Sequence, residues 1–127
     1  MEVALDTNAV SDFAAGSDAL GALLMPFQSL ALPVTVVGEY RYGLMGSKKR
    51  VQLEEWFDEL LREIRVFEAT SRTARVYARV RQQLRAAGTP IPENDVWIAA
   101  SAIEHRVPLV TRDKHFKVVK GLEVLAW

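Results

Sequence analysis

Cysteine is absent from this sequence. That excludes a disulfide framework, a zinc–thiolate site and an iron–sulfur cluster, and it suits a reducing cytoplasm. Long apolar runs are also missing: none approaches the ~20 residues that span a bilayer. The opening Met1-Glu2-Val3-Ala4-Leu5 lacks the basic-then-apolar order of a secretory leader. Net charge is missing too, because 16 Lys plus Arg balance 16 Asp plus Glu. Such a balance argues against holding nucleic acid by bulk electrostatics alone, yet leaves room for a local basic stripe. No repeat or low-complexity segment occurs. A cytoplasmic, non-membrane protein is the expectation.

What is present is a hydrophobic fraction of 50% over 127 residues. That is enough to fill one core, so residues 1–127 are expected to form a single domain. Val3 to Leu5 is a short apolar run that stops at Asp6 and reads as a strand. Thr7 or Asn8 can cap a short helix through about Ala15, and Ser17 a second one carrying Leu20, Leu23, Leu24 and Phe27. Leu30 to Val37 is rich in β-branched residues and reads as a second strand, with Glu39 at the head of the helix that follows. Ser47 is the expected cap of a longer helix with a stripe of Leu53, Trp56, Phe57, Leu60, Leu61 and Ile64. A brief strand over 65–68 precedes a helix opened by Thr70 or Ser71 and stopped by Gly88. After the loop 88–92, the pattern predicts a helix over 93–105 and strands over 108–111 and 122–125. Short apolar strands alternating with amphipathic helices imply an α/β fold, a mainly parallel sheet with helices on both faces.

In such folds the ligand crevice lies beyond the carboxyl ends of the strands. Asp6, Glu39 and Asp113 fall just after predicted strands, and Asp95 falls in the first turn of a helix. Two unit charges ~4 Å apart repel by about 4 kcal/mol at an effective dielectric of 20. Four converging carboxylates therefore require protonation or a cation between them. Oxygen ligands without cysteine favour Mg²⁺ or Mn²⁺, and phosphodiester hydrolysis is the chemistry that setting favours.

At these residues a resemblance emerges. Leu5-Asp6-Thr7-Asn8-Ala9-Val10 resembles the opening motif of PIN-domain ribonucleases. Gly38-Glu39-Tyr40-Arg41-Tyr42-Gly43 is similar to their second motif, and Asn94-Asp95-Val96-Trp97-Ile98-Ala99-Ala100 to their third. Leu109-Val110-Thr111-Arg112-Asp113-Lys114-His115-Phe116 resembles the fourth, and Gly121-Leu122 the closing segment. Within that group the chain looks most like the VapC toxins of toxin–antitoxin pairs. The resemblance implies a three-layer α/β/α sandwich and an endoribonuclease. It carries Asp6, Glu39, Asp95 and Asp113 over as the catalytic and Mg²⁺- or Mn²⁺-binding residues. It further implies structured RNA (transfer or ribosomal) as substrate, a VapB-like antitoxin as partner and a homodimer.

Each residue has a blander reading beside the functional one. Asp6 can simply cap a helix, Asp95 can simply favour a helix N-terminus, and Asp113 can be a turn residue. Thr7, Asn8, Asn94 and Thr111 either orient carboxylates or bond locally to backbone. His115 stands between donation to a phosphate and structural hydrogen bonding, the commoner use. His105, at a helix end, reads as a partner of the helix dipole. Arg72, Arg75, Arg79, Arg81 and Arg85 share one helix, and no acid occurs from Ala69 to Pro92. They either track a phosphate backbone or snorkel around a core face. Arg72, Arg75 and Arg79, with Lys48 and Lys49, are the candidate RNA-binding residues. For Tyr40, Tyr42 and Trp97, packing is favoured over base stacking. Leu20, Leu23 and the Trp56 helix are the expected antitoxin-covered surface. Two other functions stand beside the nuclease. A catalytically silent RNA- or protein-binding module is opposed by the intact acidic set. A phosphoacceptor switch is opposed by the lack of an Asp after the second strand.

Overall fold

A computed structural model describes residues 1–127. Five strands, β1 (Glu2–Leu5), β2 (Ser29–Pro33), β3 (Arg65–Phe67), β4 (Leu109–Val110) and β5 (Val124–Leu125), form one sheet in the order β3-β2-β1-β4-β5. All four pairings are parallel, with Val3 beside Leu30, Leu5 beside Val110, Leu32 beside Val66 and Val110 beside Leu125. Six helices complete the three layers: α1 (Thr7–Ala14), α2 (Asp18–Leu24), α3 (Val34–Leu44), α4 (Arg50–Glu63), α5 (Ser71–Ala86) and α6 (Glu93–Glu104). A 3₁₀ turn spans Lys114–Val118. None of the helices is long and apolar enough to cross a membrane.

Strand order fixes where a crevice can form. From β1 the chain steps outward to β2 and β3, then returns across the sheet to β4 on the other side of β1. The connections leaving β1 and β4 therefore diverge, and the gap between their carboxyl ends is the switch point where ligands bind in open α/β sheets. Asp6 follows β1 directly, and Asp113 lies three residues beyond the end of β4. The central strand β1 is buried through Val3, Ala4 and Leu5, each fully covered, as a strand flanked on both faces must be.

Three boundaries differ from the sequence-based expectation, each for a physical reason. The second strand ends at Pro33, and the β-branched run Val34-Thr35-Val36-Val37 is helical. Val36, Tyr40 and Leu44 are all buried, a spacing of four that puts one helical stripe in the core. Tertiary burial thus overrides local β preference, and Glu39 sits in the second turn of α3 rather than at its head. Secondly, the cap of α1 is Asp6, not Thr7 or Asn8. Thirdly, α4 begins at Arg50, and Ser47 instead folds the preceding turn by accepting from the Lys49 N–H at 3.1 Å. The expected caps Ser17 and Thr70 are in place, and Thr70 forms a reciprocal capping box with Thr73. Gly88 has φ +71°, a left-handed value that permits the turn after α5.

Candidate active site

Asp6 joins the two readings given to it. Its Oδ1 accepts from the Thr7 N–H at 2.8 Å, so it caps α1, while its Oδ2 accepts from Thr111 Oγ1 at 2.6 Å. The second bond crosses the switch point, tying the end of β1 to the end of β4. Thr111 is itself held, since its Oγ1 accepts from the Asp113 N–H at 3.0 Å. Thr7 turns its hydroxyl the other way and donates to Glu39 Oε1 at 2.6 Å. Asn94, in the first turn of α6, donates to Glu39 Oε2 at 3.3 Å. Asn8 Oδ1 accepts from the Arg112 N–H at 3.3 Å, which pins the loop carrying Asp113. Each of the four polar neighbours named in the sequence motifs thus touches a carboxylate or the loop that carries one.

His115 links Asp95 and Asp113. Its Nδ1 is 3.1 Å from Asp95 Oδ2 and 3.1 Å from Asp113 Oδ1. Asp113 Oδ1 also accepts from the His115 N–H at 2.9 Å, capping the 3₁₀ turn. Asp95, Asp113 and His115 each present one donor atom, and these atoms lie within 4.8 Å of one another.

The electrostatics show that the four carboxylates share one region. Burial pushes the Asp6 carboxyl above its ordinary range; the hydrogen bonds from Thr111 and Thr7 oppose this, and the charges of Glu39 and Asp113 add to it. Burial likewise pushes Asp95 up to about 6, opposed by His115 and reinforced by Asp113 and Asp6. These groups are held at a cost that a cation placed among them would remove. The donors are carboxylate oxygens and one imidazole, with no thiolate, and that set fits a hard divalent ion such as Mg²⁺ or Mn²⁺.

A cleft of about 430 Å³ opens from Thr7 and Glu39. Its walls come from α1, α3 and the start of α4, including Ser11, Leu44, Leu53 and Lys49. Lys49 therefore lies on the wall of a cleft that reaches the acidic pocket, and Lys48 is exposed beside it.

The arginines of α5 divide along α6. Thr73 Oγ1 donates to Glu104 Oε1 at 2.6 Å, at the end of α6 remote from Asp95. Nine residues of helix separate Glu104 from Asp95, about 14 Å at 1.5 Å per residue. Arg72 and Arg75 flank Thr73 at that remote end. Arg79 lines a shallow surface with Gln83, Ile103 and Lys120. Arg81 instead lies 3.5 Å from Glu93 at the near end, where the Tyr77 hydroxyl donates to the same carboxylate at 2.9 Å. Of the five arginines weighed as a phosphate track, Arg81 is the one paired with an acid at the Asp95 end of α6.

Packing accounts for two of the three aromatics. Tyr40 is buried against Trp56 and Phe57, and Trp97 stacks on Tyr77 with centroids 4.1 Å apart. Tyr42 is 77% exposed. Leu20 is fully buried, so it cannot belong to a partner-covered surface; the expectation for it fails. His105 Nδ1 is 2.9 Å from the Ser101 carbonyl, and its ring stacks on Phe67 at 3.7 Å. Asp12 and Trp127 went unnoticed in the sequence. Trp127 Nε1 donates to Asp12 Oδ2 at 2.9 Å, and the Arg112 guanidinium lies over the Trp127 ring at 4.5 Å.

Four carboxylates gathered at the switch point of a parallel α/β sheet are the arrangement that the sequence motifs implied. A family model described as PIN domain matches residues 3–122, and the chain belongs to that family. Its curated relatives there are VapC ribonucleases. It is 30% identical over 106 residues to Ribonuclease VapC2 of Rickettsia felis, covering 83% of this chain and 79% of that one. It is 31% identical over 101 residues to Ribonuclease VapC4 of Mycobacterium tuberculosis, covering 72% of each. Among solved structures it superposes on a chain of VapBC2 from Rickettsia felis, crystallised with a DNA fragment from the promoter, with a TM-score of 0.88 and 28% identity. That match covers 100% of this chain and 99% of the other.

Proposed function

We propose that this protein is a metal-dependent endoribonuclease, the toxin of a toxin–antitoxin pair, that hydrolyses phosphodiester bonds in structured RNA such as transfer or ribosomal RNA. The observation that carries the reading is the convergence of Asp6, Glu39, Asp95 and Asp113 from four separate elements, with Asp6 and Asp95 both pushed toward protonation. Asp6, Asp95, Glu39 and Asp113 would hold Mg²⁺ or Mn²⁺. When bound, the ion supplies Lewis acidity and charge neutralisation for phosphodiester hydrolysis. Thr111 and Thr7 hold the Asp6 and Glu39 oxygens in fixed directions, as hydroxyl donors do for ligating carboxylates. Lys48 and Lys49 would steer phosphates toward the acidic pocket, and Arg81 would do so from the α5 side. Arg72, Arg75 and Arg79 fit a longer backbone track, more remote from the chemistry.

The relatives support a protein partner as well. A VapB-like antitoxin is the proposed inhibitor in the cytoplasm, and a second copy of the chain the proposed homodimer partner. Exposed Tyr42 and Met45 at the end of α3 and exposed Val51 in the first turn of α4 are large apolar side chains that such a partner would cover.

The test is incubation of total RNA with the purified protein and Mg²⁺, followed by mapping of new 5′ ends. The Asp6→Asn variant and a chelator run beside it. Discrete ends that need both the ion and Asp6 are expected. An Asp6→Asn protein that cuts as well as its parent sinks the mechanism. RNA binding without new ends would favour a silent binding module.

A further inference from the structure

His115 is the one imidazole of the pocket, and the acidic motifs leave it without a role. Its Nδ1 lies 3.1 Å from Asp95 Oδ2 and 3.1 Å from Asp113 Oδ1. Two neighbouring ligands of an octahedral ion held at ~2.1 Å stand about 3.0 Å apart. Each carboxylate oxygen therefore already stands from Nδ1 at the spacing of adjacent corners on one coordination sphere, and all three atoms lie within 4.8 Å of one another. The ring is also aimed by its own backbone: the His115 N–H donates to Asp113 Oδ1 at 2.9 Å, which locks residues 113 and 115 into one tight turn. The side chain is 52% exposed, so the imidazole is not packed into this place by the core. It is held there by the two carboxylates.

The same geometry has two uses. In the tautomer with its hydrogen on Nδ1, the ring donates to the two carboxylates. In the tautomer with its hydrogen on Nε2, the Nδ1 lone pair would be free to bind an ion held by the same carboxylates. We propose that His115 is a nitrogen ligand, through Nδ1, of the divalent ion in this pocket, and that it shifts the site from Mg²⁺ toward Mn²⁺ and the later first-row ions. The shift follows from ligand type, since carboxylate and water suit Mg²⁺ whereas imidazole suits transition ions. This inference rests on the reading of the pocket as an ion site given above.

The test reads the ligand directly. Mn²⁺ is titrated into the full chain, prepared with ordinary and with isotope-labelled histidine, and electron spin echo envelope modulation is recorded. The expected result is a nitrogen modulation that changes frequency with the label and disappears in His115→Asn, whose amide oxygen falls near the position of Nδ1. His105, the only other histidine, lies at the opposite end of α6 and serves as an internal control. Competition between Mn²⁺ and Mg²⁺ is measured in parallel. Removing a direct ligand should cost no less than removing a group that merely orients one. The Mn²⁺ preference of His115→Asn should therefore fall about tenfold or more. Mn²⁺ that binds in an Asp6-dependent way with no nitrogen modulation overturns the inference and leaves the ion site standing. Mn²⁺ binding that ignores Asp6→Asn, or no binding, overturns both.

Discussion

The two ends of α6 solve the same problem in opposite ways. Each end carries a carboxylate that is nearly covered, with side chains 13% exposed at both Asp95 and Glu104. At the C-terminal end Glu104 meets a buried hydroxyl, Thr73 Oγ1, at 2.6 Å. That hydroxyl is fixed in turn by the capping box at the start of α5. At the N-terminal end Asp95 meets His115 at 3.1 Å and the charges of Asp113 and Asp6, and burial, reinforced by those charges, pushes its carboxyl up to about 6 in spite of His115. Local helix electrostatics cannot account for the contrast, because the dipole favours a carboxylate at the N-terminal end. The difference lies in what the tertiary fold brings alongside. Glu104 is placed where its charge is partnered and helps hold α5 on α6. Asp95 is placed where burial and neighbouring carboxylates outweigh its one partner, His115, as the proposed ion site would require.

That contrast breaks most sharply at Asp6. Asp6→Asn removes one proposed ligand while keeping an acceptor for the Thr7 N–H. Loss of ion-supported transition-state stabilisation of several kcal/mol lowers cleavage on the order of a thousandfold, read by end mapping or a labelled RNA, while circular dichroism stays unchanged. Thr7→Val is the next largest effect. It leaves all four carboxylates in place but frees Glu39 Oε1 from its 2.6 Å donor. Activity or Mn²⁺ affinity should drop about 10- to 100-fold, with little change in melting temperature.

At the far end of the helix the readouts exchange places. Thr73→Val keeps the shape of a buried side chain but leaves Glu104 without its donor and dismantles the capping box. A loss of about 1–3 kcal/mol of stability is expected in urea unfolding, with specific activity of the folded protein unchanged. An activity loss as large as that of Thr7→Val would show that the two ends are not separate.

Much of this layout was legible in the residues. The order of strands and helices, the parallel sheet and the places of Asp6, Asp95 and Asp113 follow from apolar periodicity, whereas Glu39 was placed after a strand that ends four residues earlier than expected. What was not legible depends on distance along the chain. Thr111 and Asp6 are 105 residues apart, and their hydrogen bond exists only because β1 and β4 are neighbours. The Nδ1 of His115 reaches back 20 residues to Asp95, so nothing in its local pattern separates it from an ordinary turn histidine. The run Val34 to Val37 misleads for the converse reason. Its local preference is for a strand, and burial of Val36 on the core face of α3 decides otherwise.

The smallest effect is also the one with the least expected sign. An Asp carboxyl ionises near 3.8 in the unfolded chain, whereas Asp95 in the folded chain does so at about 6. The folded state holds that proton more tightly. Its contribution to stability is therefore fully present below about pH 4, declines as pH rises between the two values, and is lost above about 6. Asp6 acts in the same direction. With divalent ions removed, Asp95→Asn should accordingly stabilise the fold at pH 7 by about 1–2 kcal/mol, raising the melting temperature by several degrees while activity falls. At pH 4 the difference between parent and variant should shrink toward zero. Added Mn²⁺ favours the ionised carboxylates, so it should raise the melting temperature of the parent at pH 7 and raise that of the variant less. A destabilised Asp95→Asn protein at pH 7 would mean that Asp95 is held as comfortably as Glu104. The opposition between the two ends of the helix would then be false.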